Sequence, residues 1–221
     1  MPQGIGIFGG TFDPVHVGHL RAAEDVREAL GLTEIRFVPA ATPPHKDSRT
    51  VTAPAARLYM LELATAGIPG FRVWPIELER GGPSYSIDTL RALREEVGPT
   101  ARVAFVLGRD AFAEFHTWKE YPTIFSLCDV VVITRPPQRD DLSIADIPVA
   151  ARGAFCYDAG SGSFHHESGH RVIPLSVVPL DISATDIRSR LASGRSIRFL
   201  VPAAVQAYLE SSGLYRSTHA S

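Results

Sequence analysis

The sequence predicts an α/β fold in which helices cover both faces of a mainly parallel β-sheet. Short runs rich in β-branched and aromatic residues alternate with stretches whose apolar residues recur at helical spacing. This alternation is typical of sheets built from strand–helix–strand units. A turn with two glycines follows the first run, at the kind of position where such sheets bind ligands. We therefore predict a Rossmann-like, doubly wound sheet with helices at the C-terminal end of the chain.

Six runs are predicted to be strands because they are apolar and rich in valine, isoleucine and phenylalanine. In chain order they cover residues 4–9, 34–40, 71–77, 102–107, 130–134 and 172–179. Three stretches between them are predicted to be helices, at residues 20–30, 53–66 and 86–97. In the first, Leu20, Val26 and Leu30 share one face, and Gly31 supplies a stop. The later runs ISATDIRSRL and VPAAVQAYL predict the C-terminal helices.

One segment departs from this alternation. Residues 136–170 contain paired prolines, paired aspartates, AGSGS and HHESGH, and have weak periodicity. Because they hold too little apolar sequence for a core of their own, we predict a loop excursion rather than a second domain. Residues 1–221 are thus predicted to form a single domain.

Composition excludes several classes of function. The formal net charge is −2, so no global positive field favours nucleic acid or an anionic membrane surface, and any anion site must be local. Two cysteines make a poor disulfide framework, which favours a reducing compartment. The N-terminal residues do not resemble a signal peptide, and no apolar run approaches the roughly 20 residues that span a bilayer. We expect a soluble cytoplasmic protein.

The stretch IFGGTFDPVHVGHL, residues 7–20, carries the strongest signal for a site. Gly9 and Gly10 allow the backbone to approach a ligand closely, and a following helix start would present N–H groups to an anion. His16 and His19, three residues apart, would lie on one helical face. Neither a Walker A loop nor a GxGxxG pattern is present. Phosphate binding is the favoured interpretation, while a zinc pair and ordinary packing stay open as alternatives.

Several motifs together carry a family resemblance. Residues 9–19 read GGTFDPVHVGH, residues 43–46 PPHK, residues 80–90 RGGPSYSIDTL, residues 108–110 GRD and residues 182–188 ISATDIR, and a tryptophan stands at position 118. In this order they resemble the HxGH nucleotidyltransferase superfamily and, within it, the bacterial nicotinate-mononucleotide adenylyltransferases. The resemblance spans nearly the whole chain. It departs at Ala184, where the family often has a second serine.

The resemblance implies transfer of the adenylyl group of ATP to nicotinate mononucleotide, giving nicotinate adenine dinucleotide and pyrophosphate. The mononucleotide phosphate is itself a nucleophile, so a direct in-line attack needs neither a general base nor a covalent intermediate. Mg²⁺ is implied as the cofactor, held mainly by substrate phosphates rather than by protein ligands. Alternatives are transfer to nicotinamide mononucleotide or phosphopantetheine, or a nucleotide-binding regulator without activity. ATP and nicotinate mononucleotide are the implied partners. The resemblance is also compatible with assembly of the chain into a homo-oligomer.

The family motifs also imply roles for individual residues. Catalytic roles are implied for His16, His19, Lys46 and Arg188. Contacts with ATP are implied for these histidines and Arg188, and for Gly9, Gly10, Thr11, Phe12, Gly18, Gly108, Asp110, Ile182, Ser183 and Thr185. Contacts with nicotinate mononucleotide are implied for Pro44, His45, Lys46, Tyr85, Ser86 and Trp118, with the indole stacked on the pyridine ring. Arg49 and Arg57 are expected to be solvated surface residues more often than phosphate ligands.

A second histidine pattern is expected to be coincidental. HESGH, residues 166–170, matches the HExxH motif of zinc proteases. That chemistry requires both histidines on one helical face, whereas nearby glycines and serines favour a polar loop. We do not expect a metalloprotease.

Overall fold

The computed structural model describes residues 4–42, 51–134 and 142–216. Its strands are β1 (Gly4–Gly10), β2 (Glu34–Pro39), β3 (Phe71–Val73), β4 (Arg102–Gly108), β5 (Asp129–Thr134), β6 (Phe155–Asp158), β7 (Ser163–His166) and β8 (Arg171–Ser176). Its α-helices are α1 (Val17–Leu30), α2 (Pro54–Thr65), α3 (Ile76–Arg80), α4 (Ser86–Val97), α5 (Arg109–Ala113), α6 (Tyr121–Ile124), α7 (Ala184–Ala192) and α8 (Ala203–Ser212). The α/β class predicted from the sequence is confirmed.

The strands form one sheet in the order β3-β2-β1-β4-β5-β8-β7-β6. Strands β1 to β5 and β8 are parallel, and the pairs β6–β7 and β7–β8 are antiparallel. The chain runs outward from β1 through β2 to β3, and then returns to place β4 on the other side of β1. The carboxyl ends of β1 and β4 therefore flank the point where the strand order reverses, which is the usual ligand-binding position of such sheets.

Two hydrophobic cores cover the two faces of the sheet. Along β4, Val103, Phe105 and Leu107 pack into one core, while Ala104 and Val106 pack into the other. The first core contains buried residues of α4, α5 and α6, and the second contains those of α1, α2, α7 and α8. Alternate residues of a strand point to opposite faces, so both faces are apolar and both are covered. This confirms the doubly wound arrangement with C-terminal helices.

The observed boundaries of helices and strands show which local sequence signals were sufficient to predict them. Helix α4 has the limits predicted from its periodicity, and α1 ends before Gly31, which adopts a left-handed conformation with φ 60°. The predicted strand over residues 71–77 is wrong beyond β3. Pro75 lacks the N–H that a strand interior needs, and α3 follows it.

The predicted loop excursion is corrected for its second half. Strands β6 and β7 form an antiparallel hairpin in which Tyr157 pairs with Phe164, and β7 extends the sheet by pairing with β8. This hairpin lies at the sheet edge, where exposed polar residues hide the apolar alternation. Residues 135–141, with the paired prolines and aspartates, lie outside the described residues. The single-domain organisation stays a prediction.

The histidine-rich stretch is not helical, but it begins in strand β7 and is therefore not the polar loop expected from its composition. His166 ends β7, and its Nδ1 lies 2.8 Å from the hydroxyl oxygen of Ser168. Within the three described ranges, no group of three or more His, Cys, Asp or Glu side chains is arranged to hold a metal ion. The helical zinc geometry that HExxH requires is therefore not formed here.

None of the helices in the described part of the chain combines the length and the apolar character needed to cross a membrane.

Candidate active site

A cavity of about 320 Å³ opens between the carboxyl ends of β1 and β4. Most of its wall is apolar. It brings together sequence-predicted residues from four separate parts of the chain, namely Gly9, Gly10, Thr11, Tyr85, Ser86, Gly108 and Trp118. The location at the reversal of strand order, the size and the apolar wall with a few polar groups are typical of a small-molecule site.

Glycines allow a ligand to reach the backbone at the two strand ends. A Cβ atom added at Gly9 or Gly108 would meet no other atom within 4 Å, and both residues line the cavity. At Gly10 the added Cβ would lie 3.0 Å from the ring of Phe12. Glycine at position 10 thus avoids a close contact with the Phe12 ring, whereas at positions 9 and 108 it leaves open space for a ligand.

The two predicted histidines lie against each other at the start of α1. Their rings stack, with centroids 3.7 Å apart and planes inclined by 27°. His16 precedes the helix in extended conformation and is 3% exposed, while His19 lies one turn later and is half-buried. The backbone N–H of His16 donates to Nδ1 of His19 over 3.2 Å. A neutral His19 that accepts at Nδ1 carries its proton on Nε2.

Gly18 joins this segment to the second predicted phosphate segment. We call residues 9–19 the HxGH segment and residues 182–188 the ISATDIR segment. A Cβ added at Gly18 would lie 3.1 Å from Nδ1 of His16 and 3.9 Å from Cβ of Ile182. The starts of α1 and α7 are therefore packed together. The positive ends of both helix dipoles lie in the same region.

Arg188 links the same two segments by hydrogen bonds. Its Nη1 donates to the backbone oxygen of Asp13 over 2.6 Å, and its Nη2 donates to the hydroxyl of Thr185 over 3.3 Å. Ser183 caps α7 by accepting from the backbone N–H of Asp186 over 3.1 Å. The two motifs, more than 160 residues apart in the chain, thus form one cluster.

A buried arginine supports the turn after Gly10. Arg57 is fully buried and donates to the backbone oxygens of Thr52, Thr11 and Ala41 at 2.9, 2.8 and 3.4 Å. Burial lowers the pKa of its guanidinium, and the nearby Asp13 opposes that effect. The expectation that Arg57 is a solvated surface residue is wrong. Its three acceptors join the HxGH segment to the residues on either side of 43–50.

Asp13 connects this turn to the C-terminal part of the chain. Its carboxylate is buried and accepts from the hydroxyl of Tyr215 and from the backbone N–H of Thr52. Burial, followed by the bond to Asp13, raises the pKa of Tyr215, so the phenol remains a donor at neutral pH. No local pattern in the sequence indicates the pair, because 202 positions separate its members.

The other end of the cavity is aromatic. The indole of Trp118 packs against Phe115 at 5.0 Å and Phe105 at 6.1 Å between ring centroids, and it also lines the cavity. Tyr85 and Ser86 stand at the start of α4, as predicted. A flat aromatic wall beside a helix start suits a planar ring that carries an anionic substituent.

Two charged residues that sequence reasoning missed also line this end. Glu77 is buried and accepts from the hydroxyl of Thr89 over 2.7 Å. Lys119 follows Trp118 and stands at the rim. Their positions next to RGGPSYSIDTL and to the tryptophan are the only sequence signal that pointed towards them.

Some predicted residues are placed differently. The side chain of Phe12 is 2% exposed and packs on Phe8, His19 and Phe37, so only its backbone can contact a ligand. Asp110 is exposed in the first turn of α5 and does not line the cavity. Pro44, His45, Lys46 and Arg49 lie outside the described residues.

Comparisons with known proteins give a consistent result. A family model described as cytidylyltransferase-like matches residues 7–190. A protein of Geobacter sp. (strain M21) named "Probable nicotinate-nucleotide adenylyltransferase" is 46% identical over 211 residues, which cover 96% of this chain and 97% of the relative. A protein of Syntrophotalea carbinolica with the same name is 45% identical over 213 residues, with the same coverage.

A solved structure shares the fold. It is Plasmodium falciparum nicotinic acid mononucleotide adenylyltransferase complexed with NaAD, with a TM-score of 0.68 and 16% identity. The match covers 96% of this chain and 97% of that one.

Proposed function

Because this chain belongs to the cytidylyltransferase-like family, and within it to the nicotinate-nucleotide adenylyltransferases, we propose that the cavity and the adjoining HxGH and ISATDIR segments form its active site. The chain transfers the adenylyl group of ATP to nicotinate mononucleotide, yielding nicotinate adenine dinucleotide and pyrophosphate, a step of NAD biosynthesis. The observation that most supports this location is the packing of two distant segments, both predicted to bind phosphate, beside one aromatic cavity.

The reaction needs alignment and charge neutralisation rather than a base. An oxygen of the mononucleotide phosphate attacks the α-phosphorus of ATP and forms the new P–O bond. The bond from that phosphorus to the bridging oxygen breaks, and pyrophosphate leaves with the electron pair. The attacking oxygen is already ionised at neutral pH, so no proton has to be removed from it. The protein lowers the barrier by holding the reactants in line and stabilising the charge on the leaving group.

The two segments supply donors for that charge. We assign His16 and His19 to the phosphates of ATP, together with the backbone N–H groups of Gly18 and Thr11. We assign the β- and γ-phosphates to Ser183, Thr185 and Arg188 at the start of α7, with Ile182 packing beside Gly18. Contacts by Lys46, His45 and Pro44 remain predictions from the sequence. Gly9, Gly10, Gly108 and Asp110 are assigned to the nucleoside part of ATP, and Phe12 contributes through its backbone.

The donor set fits Mg²⁺ held by substrate rather than by the protein. In the described part of the chain, the segments beside the cavity present N–H groups and cations, which bind anions rather than metals. The buried carboxylate of Asp13 already accepts from Tyr215 and Thr52. We therefore propose that Mg²⁺ would be held mainly by the phosphates of ATP rather than by protein side chains, and that it would supply charge neutralisation there.

The pyridine ring is assigned to the aromatic end of the cavity. Trp118 provides a face for stacking and Tyr85 shapes the wall, and we assign the N–H groups and hydroxyl at Ser86 to the ring substituent. We also propose a cytoplasmic location, which the free thiols of Cys128 and Cys156 support.

Replacing Trp118 with alanine tests the assignment of the ring. Stacking of a ring on an aromatic side chain contributes about 1–3 kcal/mol, so we expect KM for nicotinate mononucleotide to rise about tenfold. KM for ATP should change less than about twofold, because the adenine is assigned elsewhere. Steady-state rates of dinucleotide formation, followed by chromatography with each substrate varied in turn, give both values.

Trp74 offers the matched control, since the chain has two tryptophans and this one packs under Arg36, outside the cavity. Trp74→Ala should leave the ratio of the two KM values unchanged. Equal increases of both KM values in Trp118→Ala would refute ring stacking at this position.

A further inference from the structure

Lys119 is held at the rim of the cavity by two neighbours. Its Nζ lies 4.8 Å from the centroid of the Tyr85 ring and donates to both carboxylate oxygens of Asp88, at 3.2 and 3.1 Å. The side chain is 42% exposed, and the residue lines the same cavity as Trp118. The ammonium is therefore restrained beside the aromatic end rather than extended into solvent.

The charges lining the cavity are unevenly distributed. Among the described residues that line it, Glu77 is the acidic one and Lys119 the basic one. Glu77 is buried and bonded to Thr89, whereas Lys119 is at the open rim. An anionic substituent on a ring stacked at Trp118 is repelled by Glu77 and attracted by Lys119. A neutral carboxamide experiences neither effect to the same extent.

We propose that Lys119 is a specificity-determining residue, whose ammonium favours a pyridine ring carrying a carboxylate over one carrying a carboxamide. This inference rests on the proposed function of the cavity. The inference goes beyond that function by assigning the choice between two mononucleotide acceptors to one side chain.

The ion pair with Asp88 is compatible with this role. An ammonium has three N–H donors. The two hydrogen bonds to the carboxylate of Asp88 do not use all of them. Asp88 also lies 4.0 Å from Nη1 of Arg91, so its charge is divided between two cations. The pair fixes the position of Nζ over Tyr85, which reduces the entropy lost when a substrate carboxylate binds.

The experiment compares acceptor choice in three variants. Lys119→Met removes the cation, Lys119→Arg retains it, and Arg91→Met removes a cation that shares Asp88 and pairs with Glu120 but does not line the cavity. For each protein, kcat/KM is measured with nicotinate mononucleotide and with nicotinamide mononucleotide at saturating ATP. Thermal unfolding of each variant is recorded in parallel.

A hydrogen bond to a charged group contributes enough to change binding by about tenfold or more. We therefore expect the preference for the carboxylate substrate to fall about tenfold in Lys119→Met. It should be largely retained in Lys119→Arg and change less than about twofold in Arg91→Met. Partial exposure of the site keeps the expected effect at the lower end of the range.

The outcomes separate this inference from the one it rests on. An unchanged preference in Lys119→Met, with normal wild-type turnover, overturns the role of Lys119 alone and assigns the choice to the N–H groups at the start of α4. An equal loss of preference in Lys119→Met and Arg91→Met also overturns it, because the preference would then depend only on the net charge of the rim. A wild-type protein that uses neither mononucleotide overturns the proposed function itself.

Discussion

Replacing His19 with alanine should lower kcat by about 10²–10³-fold, which is the usual effect of removing one donor to transition-state charge. His19 stacks on His16 at the junction of the HxGH and ISATDIR segments. Its Nδ1 accepts from the backbone, so its Nε2 carries the proton that a phosphate oxygen needs. Because this bond matters most when charge develops on the leaving pyrophosphate, kcat should fall more than KM for ATP rises.

The fold of His19→Ala should be preserved, since the ring is half-buried and its loss removes one hydrogen bond at the start of α1, that from the backbone N–H of His16. Rates are measured by rapid assay of pyrophosphate, with circular dichroism as the check on folding. His165→Ala is a suitable control because that histidine lies in the edge hairpin with a side chain that is 42% exposed. Turnover within about threefold of the wild type in His19→Ala would rule out its assigned role.

Replacing Arg57 with methionine should have the largest effect on stability. Methionine replaces the aliphatic part of the side chain but removes the guanidinium, so three backbone oxygens, those of Thr52, Thr11 and Ala41, lose their donor. Each buried acceptor that loses its partner costs about 1–3 kcal/mol. Relief of the desolvation of the guanidinium offsets part of this cost, so we expect the free energy of unfolding to fall by about 3 kcal/mol, measured by urea denaturation.

Arg102→Met provides the comparison, because Arg102 is exposed and, within the described part of the chain, donates to a single backbone oxygen, that of Leu30. Its effect should be below about 1 kcal/mol. KM for ATP should also rise in Arg57→Met and not in Arg102→Met, since Arg57 holds the turn of the HxGH segment. Similar free energies of unfolding for the two variants would show that the buried hydrogen bonds of Arg57 contribute little.

The parts of the fold that follow from local signals were predictable from the sequence. The period of apolar residues identified α4 with its limits, and Gly31 marked the end of α1 because only glycine adopts that left-handed turn without strain. Edge elements were less predictable. The hairpin of β6 and β7 has one exposed side, and the short β3 is followed by a proline that ends it.

Residues of the candidate site could be predicted only where they belong to a sequence motif. The HxGH and ISATDIR segments were recognised in the sequence, and the structure packs them together. Arg57 was missed because an arginine in a helix is usually solvated, and its partner Thr11 is 46 positions away. Glu77 and Lys119 were missed for a similar reason. Their importance depends on the shape of a cavity that no short sequence pattern describes.

The most direct test of the central claim is to measure pyrophosphate release from ATP with nicotinate mononucleotide and nicotinamide mononucleotide in parallel, using the full chain and Mg²⁺. We expect rapid release with the nicotinate substrate, slower release with the nicotinamide one, and no release with ATP alone. Each pyrophosphate should be matched by one dinucleotide. Tight binding of ATP without pyrophosphate release with either acceptor would contradict the account.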